Sequence, residues 1–114
     1  MPECLFCKIR DGEIPADIVY SDDSCLAFRD LHPAAPVHVL IIPRRHIASL
    51  NEVDAAGAEA IGALFAAVPQ VAAELGVAAG GYRVVVNCNA DAGQEIFHLH
   101  FHLLGGRQLS WPPG

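Results

Sequence analysis

Residues 97–104 read Phe-His-Leu-His-Phe-His-Leu-Leu, and this short segment narrows the possible folds more than any other part of the chain. A strand sends successive side chains to opposite faces. As a strand, the segment puts His98, His100 and His102 on one face and Leu99, Phe101 and Leu103 on the other. The apolar face needs a core to enter. The imidazole face suits chemistry, because histidine's ordinary pKa of about 6.5 lies nearest neutral pH and the ring can be nucleophile, acid, base or metal ligand. At ~3.3 Å rise per residue the outer pair start roughly 13 Å apart, whereas Zn–N bonds are only ~2 Å long. Neighbours in the row can share a metal, but all three are poorly spaced to do so. A division of labour is expected.

The rest of the chain supplies a sheet for this strand. Residues 5–10 read as a short helical turn, stopped at Asp11-Gly12 and kept from continuing by Pro15. Residues 17–20 and 25–29 read as two strands of a hairpin across the turn cluster 21–24. Pro33 and Pro36 mark a loop, and residues 37–42 form a dense apolar strand ended by Pro43. His38 in that strand reads by itself as a satisfied core histidine. A long helix is expected over residues 54–75, where Ala60, Ile61, Leu64, Phe65, Val68, Val71, Ala72 and Leu75 recur with a period near 3.6. Asn51 or Asp54 suits its start, Gly76 its stop, and Pro69 should kink it. Residues 82–87 form a strand pairing antiparallel with the histidine strand across a loop at 88–94. The sum is α+β: one domain over residues 1–114, with about five mostly antiparallel strands, one long helix on the apolar face and a short N-terminal helix.

Composition excludes more than it selects. An apolar fraction of 53% is ample for one core, and the formal charge of −6 argues against a nucleic-acid backbone as partner. No apolar run reaches transmembrane length, so no membrane is expected. The start Met1-Pro2-Glu3-Cys4 lacks a signal-peptide core, and a cytoplasmic location is expected. There, disulfides are the less expected use of cysteine. Cys4 and Cys7 form a Cys-x-x-Cys pair that suits a shared metal or a redox couple. Cys25 and Cys88 read as small buried hydrophobes.

The complete pattern His-φ-His-φ-His-φ-φ resembles the signature of the histidine triad family of nucleotide hydrolases and transferases. Gly105-Gly106-Arg107-Gln108 with Trp111-Pro112-Pro113-Gly114 is similar to the tail of its nucleotide-binding, phosphoramidase-type branch. The likeness runs from near Cys4 to Gly114. It implies cleavage of purine nucleoside 5′-phosphoramidates, or related nucleotidyl conjugates, at the α-phosphorus through a covalent nucleotidyl-histidine, releasing AMP or GMP. The resemblance makes His100 the nucleophile, its tautomer set by the His98 carbonyl. His102 would donate to a phosphate oxygen or protonate the leaving group, and His38 would help orient the nucleophile. The side-chain amide of Gln94, nearby backbone N–H groups and Asn87 would hold the phosphate. Glu95 departs from the serine or threonine often found there, and a carboxylate beside a phosphate is unfavourable unless turned away. Asp30 would take the ribose hydroxyls, and Leu31, Phe28 and Ile18, with Phe6 at the edge, the base. Cys4, Cys7, His46 and His98 would close a structural zinc site. The family resemblance also implies a homodimer through the long helix and the 82–87 edge, with Trp111 reaching the partner's site. Dinucleoside polyphosphate hydrolysis, nucleotidyl transfer and a nucleotide-binding interaction module are the alternative functions. A catalytic metal on the histidine row is a further one.

Overall fold

The computed structural model describes residues 4–114, so Met1-Pro2-Glu3, on which the absence of a signal peptide was read, lies outside the described residues. In chain order the elements are α1 (Leu5–Arg10), β1 (Ile18–Ser21), β2 (Cys25–Arg29), β3 (Val37–Pro43), α2 (Ala55–Glu74), β4 (Tyr82–Val86) and β5 (Phe101–Gly105). The strands form one sheet in the order β1-β2-β3-β5-β4, with every neighbouring pair antiparallel. The α+β class and the strand count match the expectation.

Period-2 alternation divides the sheet into two faces. Cys25, Ala27, Val39, Ile41, Leu99, Phe101 and Leu103 pack with α2 in one core. Leu26, Phe28, Leu40 and Ile42 pack on the opposite face with Phe6 and Ile9 of α1. The expectation had one covered face; α1 covers part of the other. His38, His100 and His102 share the α1 parity, which puts the functional rings on the more thinly covered side.

α2 starts at Asp54, whose Oδ1 accepts from the Gly57 N–H at 2.7 Å. It runs through Pro69 without interruption to Glu74. At its end Gly76 takes φ +75°, and the Gly76 and Val77 N–H groups return to the Ala73 and Ala72 carbonyls at 3.2 and 3.0 Å. That pair of bonds needs a residue tolerant of the left-handed region. By length and composition alone α2 is apolar enough to cross a membrane, contrary to the expectation of no such run. In the fold it lies on the sheet, with Leu64, Ala67, Val68, Val71 and Ala72 buried.

The histidine segment also differs from expectation. β5 begins only at Phe101, so His98 and His100 precede the strand. The register pairs Ile41 with Phe101, so Pro43 would face Leu99. The Arg44 N–H bonds to Ser24 on the β2 side, which turns the polar groups of Pro43 towards β5. Proline has no N–H to offer there. The ladder stops, and the Leu99 N–H bonds to the Ile47 carbonyl at 2.6 Å instead. The alternation survives this departure: Leu99 is 1% exposed in the α2 core.

Candidate active site and metal centre

A cleft of about 380 Å³ opens on the α1 face, and His100 and His102 form part of its wall. Phe6, Ile14, Phe28 and Leu40 give it an apolar side, and Asp30 and Leu31 lie on its rim. Phe6 packs edge-on against His100, with ring centroids 5.1 Å apart and planes at 88°, which limits rotation of the imidazole.

His100 Nδ1 lies 2.8 Å from the His98 carbonyl oxygen. A carbonyl only accepts, so Nδ1 carries the proton and Nε2 keeps a free lone pair. Burial lowers the His100 pKa from its ordinary value, opposed by the His98 carbonyl and then the Asp30 charge. The ring is therefore neutral at pH 7, as a nucleophile requires.

His38 does not touch His100 in this network. The Ala34 N–H donates to His38 Nδ1 at 3.0 Å, so neutral His38 carries its proton on Nε2. That Nε2 lies 2.9 Å from His102 Nδ1 and 3.5 Å from Asp30 Oδ2. His38 thus donates to His102, whose own proton then sits on Nε2. The expectation that His38 orients the nucleophile is corrected: it orients His102. Register explains this, because Leu40 pairs with His102 and His38 with Leu104, making His38 and His102 diagonal neighbours on one face. Burial, followed by the nearby His100 and His38, pushes the His102 pKa down to about 4.

The other expected ligand-binding residues divide. Asn87, Glu95, Leu31, Phe28 and Asp30 all line the cleft, and extending the β4–β5 register from Val86–Phe101 sets Asn87 opposite His100. Asp30 Oδ1 accepts from the His32 N–H at 2.8 Å, which fixes the loop and leaves Oδ2 towards the site. Ile18 is 49% exposed on edge strand β1 and is not among the residues lining the cleft. Trp111 is 79% exposed and sits beside Arg83 of its own chain, 5.9 Å from guanidinium to ring. Gln94 requires a correction. Its Oε1 accepts from the Asn89 N–H at 2.8 Å, and its Nε2 donates to the Ala48 and Ile96 carbonyls at 2.9 and 3.1 Å. Both amide protons are committed, so the side chain braces the loop and has none left for a phosphate. The sequence reading did not single out Asp17, Arg29 or His32 at the cleft. Only His32, the one of the six histidines without an expected role, carried a signal that could have drawn notice.

Beside the cleft, Cys4, Cys7, His46 and His98 bring one ligand atom each to within 4.8 Å of one another. His98 Nδ1 lies 3.4 Å from Cys4 Sγ, 3.5 Å from Cys7 Sγ and 3.2 Å from His46 Nδ1. Tetrahedral Zn–S bonds of ~2.3 Å and Zn–N bonds of ~2.0 Å place S···N near ~3.5 Å and N···N near ~3.3 Å, so the donor set fits zinc. The tautomer fits too: His98 Nε2 donates to the Pro43 carbonyl at 2.8 Å, turning the Nδ1 lone pair towards the sulfurs. The proline that ends the β3–β5 ladder thus orients a ligand. Burial, then Cys4, raises the Cys7 thiol pKa, a preference that a divalent cation reverses by favouring thiolate. Asp30, His38 and His102 also lie close together, but a cation there would have to displace the proton on His38 Nε2. Of the remaining cysteines, Cys25 is buried as expected, whereas Cys88 is only half-buried.

Comparison with known proteins agrees with this geometry. A family model described as the HIT domain matches residues 11–109. An uncharacterised HIT-like protein of Synechococcus elongatus is 53% identical, covering 98% of this chain and 97% of its own. The purine nucleoside phosphoramidase of Escherichia coli is 48% identical, covering 94% of this chain and 90% of its own. Among solved structures, a HIT family hydrolase from Legionella pneumophila superposes with a TM-score of 0.95 at 50% identity, covering 98% of this chain and 100% of that one.

Proposed function

This chain belongs to the HIT family, and we propose that it is a hydrolase that cleaves purine nucleoside 5′-phosphoramidates, or related nucleotidyl conjugates, at the α-phosphorus. One observation carries the reading: His100 Nδ1 is committed to the His98 carbonyl at 2.8 Å, and the neutral ring is part of the cleft wall with Nε2 unprotonated. The likeness to the purine nucleoside phosphoramidase of E. coli supports a purine nucleotide as the substrate.

In this reading His100 Nε2 attacks phosphorus, the leaving group departs, and water then cleaves the nucleotidyl-histidine. Covalent catalysis divides one hard displacement into two easier ones. His102 Nε2–H, oriented through the His38–His102 bond, donates to a phosphate oxygen or to the departing atom. Asn87 and backbone N–H groups of the loop around Gly93 support the phosphate. Asp30 takes the ribose, and Phe28, Leu40 and Phe6 flank the base. Cys4, Cys7, His46 and His98 hold a structural zinc whose role is to tie the N-terminal segment to the strand bearing the nucleophile. Two copies pair through the exposed side of α2, where Phe65 is 58% exposed, and through the open edge of β4. In the pair, Trp111 extends to the partner's cleft. Cys4 and Cys7 as zinc ligands, with Cys25 and Cys88 unpaired, are compatible with the cytoplasm.

Hydrolysis of an adenosine 5′-phosphoramidate by the wild type and by His100→Ala tests the reading. Activity in the wild type and a loss of about 10⁴-fold, or ~5.5 kcal/mol of transition-state stabilisation, are expected. An inert wild type that still binds AMP favours the interaction-module alternative.

A further inference from the structure

The cleft is acidic for a site that takes a phosphate. Its charged lining is Asp17, Asp30 and Glu95 against Arg29 alone, and Arg29 Nε is already paired with Asp17 Oδ2 at 3.2 Å. Asp30 is occupied by the His32 N–H and by His38. Glu95 differs: it is exposed and has no hydrogen-bond or ion-pair partner among the described residues. Its backbone is nevertheless held firmly. Gln94 before it is 6% exposed and bonds across it to the Ile96 carbonyl, and Ile96 packs on the α1-side core. A braced loop therefore brings Glu95, with its carboxylate uncommitted, to the wall of the cleft that His100 and His102 also line. It comes from the loop leading into His100, with Gly93 and Asn87. Asn87 and Gly93 line the cleft with it, and the β4–β5 register sets Asn87 opposite His100, so Glu95 is assigned to the phosphate end, away from the apolar side formed by Phe28, Leu40 and Ile14. A phosphate there adds to like charge. The conflict is relieved when the substrate beyond phosphorus is cationic.

We infer that Glu95 selects substrates whose leaving amine carries a second, protonated amine, as in nucleoside 5′-phosphoramidates of alkyl diamines. The inference rests on the proposed hydrolase reading and names the substrate class of that same site. His100 Nε2 forms its bond to phosphorus as the P–N bond breaks. The electron pair of that bond goes to the leaving nitrogen, which takes a proton from solvent water while His102 Nε2–H hydrogen-bonds to it. The second amine stays protonated throughout and pairs with Glu95. Water then bonds to phosphorus, the His100–phosphorus bond breaks with its electron pair returning to Nε2, and the water's proton goes back to solvent.

The test compares kcat/KM for two adenosine 5′-phosphoramidates, one of 1,4-diaminobutane and one of n-pentylamine, at pH 7. The wild type should favour the diamine conjugate by about fivefold, the size of one exposed charge pair, and the preference should shrink at high salt. Glu95→Gln should bring the ratio towards one, and Glu95→Lys should invert it. Hydrolysis of both conjugates with a ratio that neither variant moves overturns this inference and leaves the hydrolase reading standing. Hydrolysis of neither by the wild type overturns both.

Discussion

Replacing Gln94 with leucine separates a structural brace from a phosphate ligand. The side chain is 6% exposed and satisfies three backbone groups, the Asn89 N–H and the Ala48 and Ile96 carbonyls. Leucine fills similar volume but meets none of them. Each unmet group costs about 1 kcal/mol when water reaches it in part and more when it stays dry, so a loss of about 3 kcal/mol is expected. For a domain of this size, 1 kcal/mol moves Tm by roughly 4 °C, giving a drop of about 12 °C. Thermal melts of the wild type and Gln94→Leu read this directly, with KM measured well below both transitions. A Tm unchanged to within about 2 °C together with a KM raised about tenfold would refute the argument. It would return the Gln94 amide to the phosphate.

Three further outcomes follow from the same geometry. Purified protein should carry one zinc per chain; a strong chelator or Cys7→Ser should lower Tm, and an unchanged Tm after verified removal of metal would contradict the structural site. His38→Phe should lower kcat by about 10²-fold with little change in KM, because it releases the tautomer of the proton donor His102; an effect confined to KM would contradict that role. His102 is held near pKa 4 in the fold and titrates near 6.5 when unfolded. The unfolded state therefore binds more protons between these values. The stability present above pH 6.5 is lost as pH falls towards 4, by at most about 3 kcal/mol from this group. Urea midpoints at pH 7.5 and 5 should differ less in His102→Gln than in the wild type, and equal differences would contradict the assignment.

Much of this architecture was legible in the chain because periodicity survives tertiary context. Leu99, Phe101 and Leu103 enter the α2 core and the three histidines take the other side, as the alternation required. Asp54 and Gly76 bound α2 where capping chemistry placed them. The misreadings at the site share a physical cause: each depended on which neighbour, distant along the chain, a residue meets in the fold. The direction of Pro43's polar groups, set by the β2–β3 register, delays β5 and supplies the carbonyl that orients His98. The diagonal between β3 and β5 gives His38 to His102. Gln94 sits beside the Ala48 carbonyl, a neighbour 46 residues away, and no local pattern encodes that contact. Ile18 alternates correctly for a strand, yet its strand is the edge of the sheet and leaves it exposed.

The most direct measurement is to trap the enzyme in mid-reaction. Wild-type protein mixed with an adenosine 5′-phosphoramidate and quenched in base within the first turnover should show one nucleotidyl adduct by intact-mass spectrometry. Peptide mapping should place it on His100, and His100→Ala should show none. An adduct on His102, or rapid first-turnover hydrolysis with no adduct on any histidine, would contradict the claim that His100 Nε2 is the nucleophile.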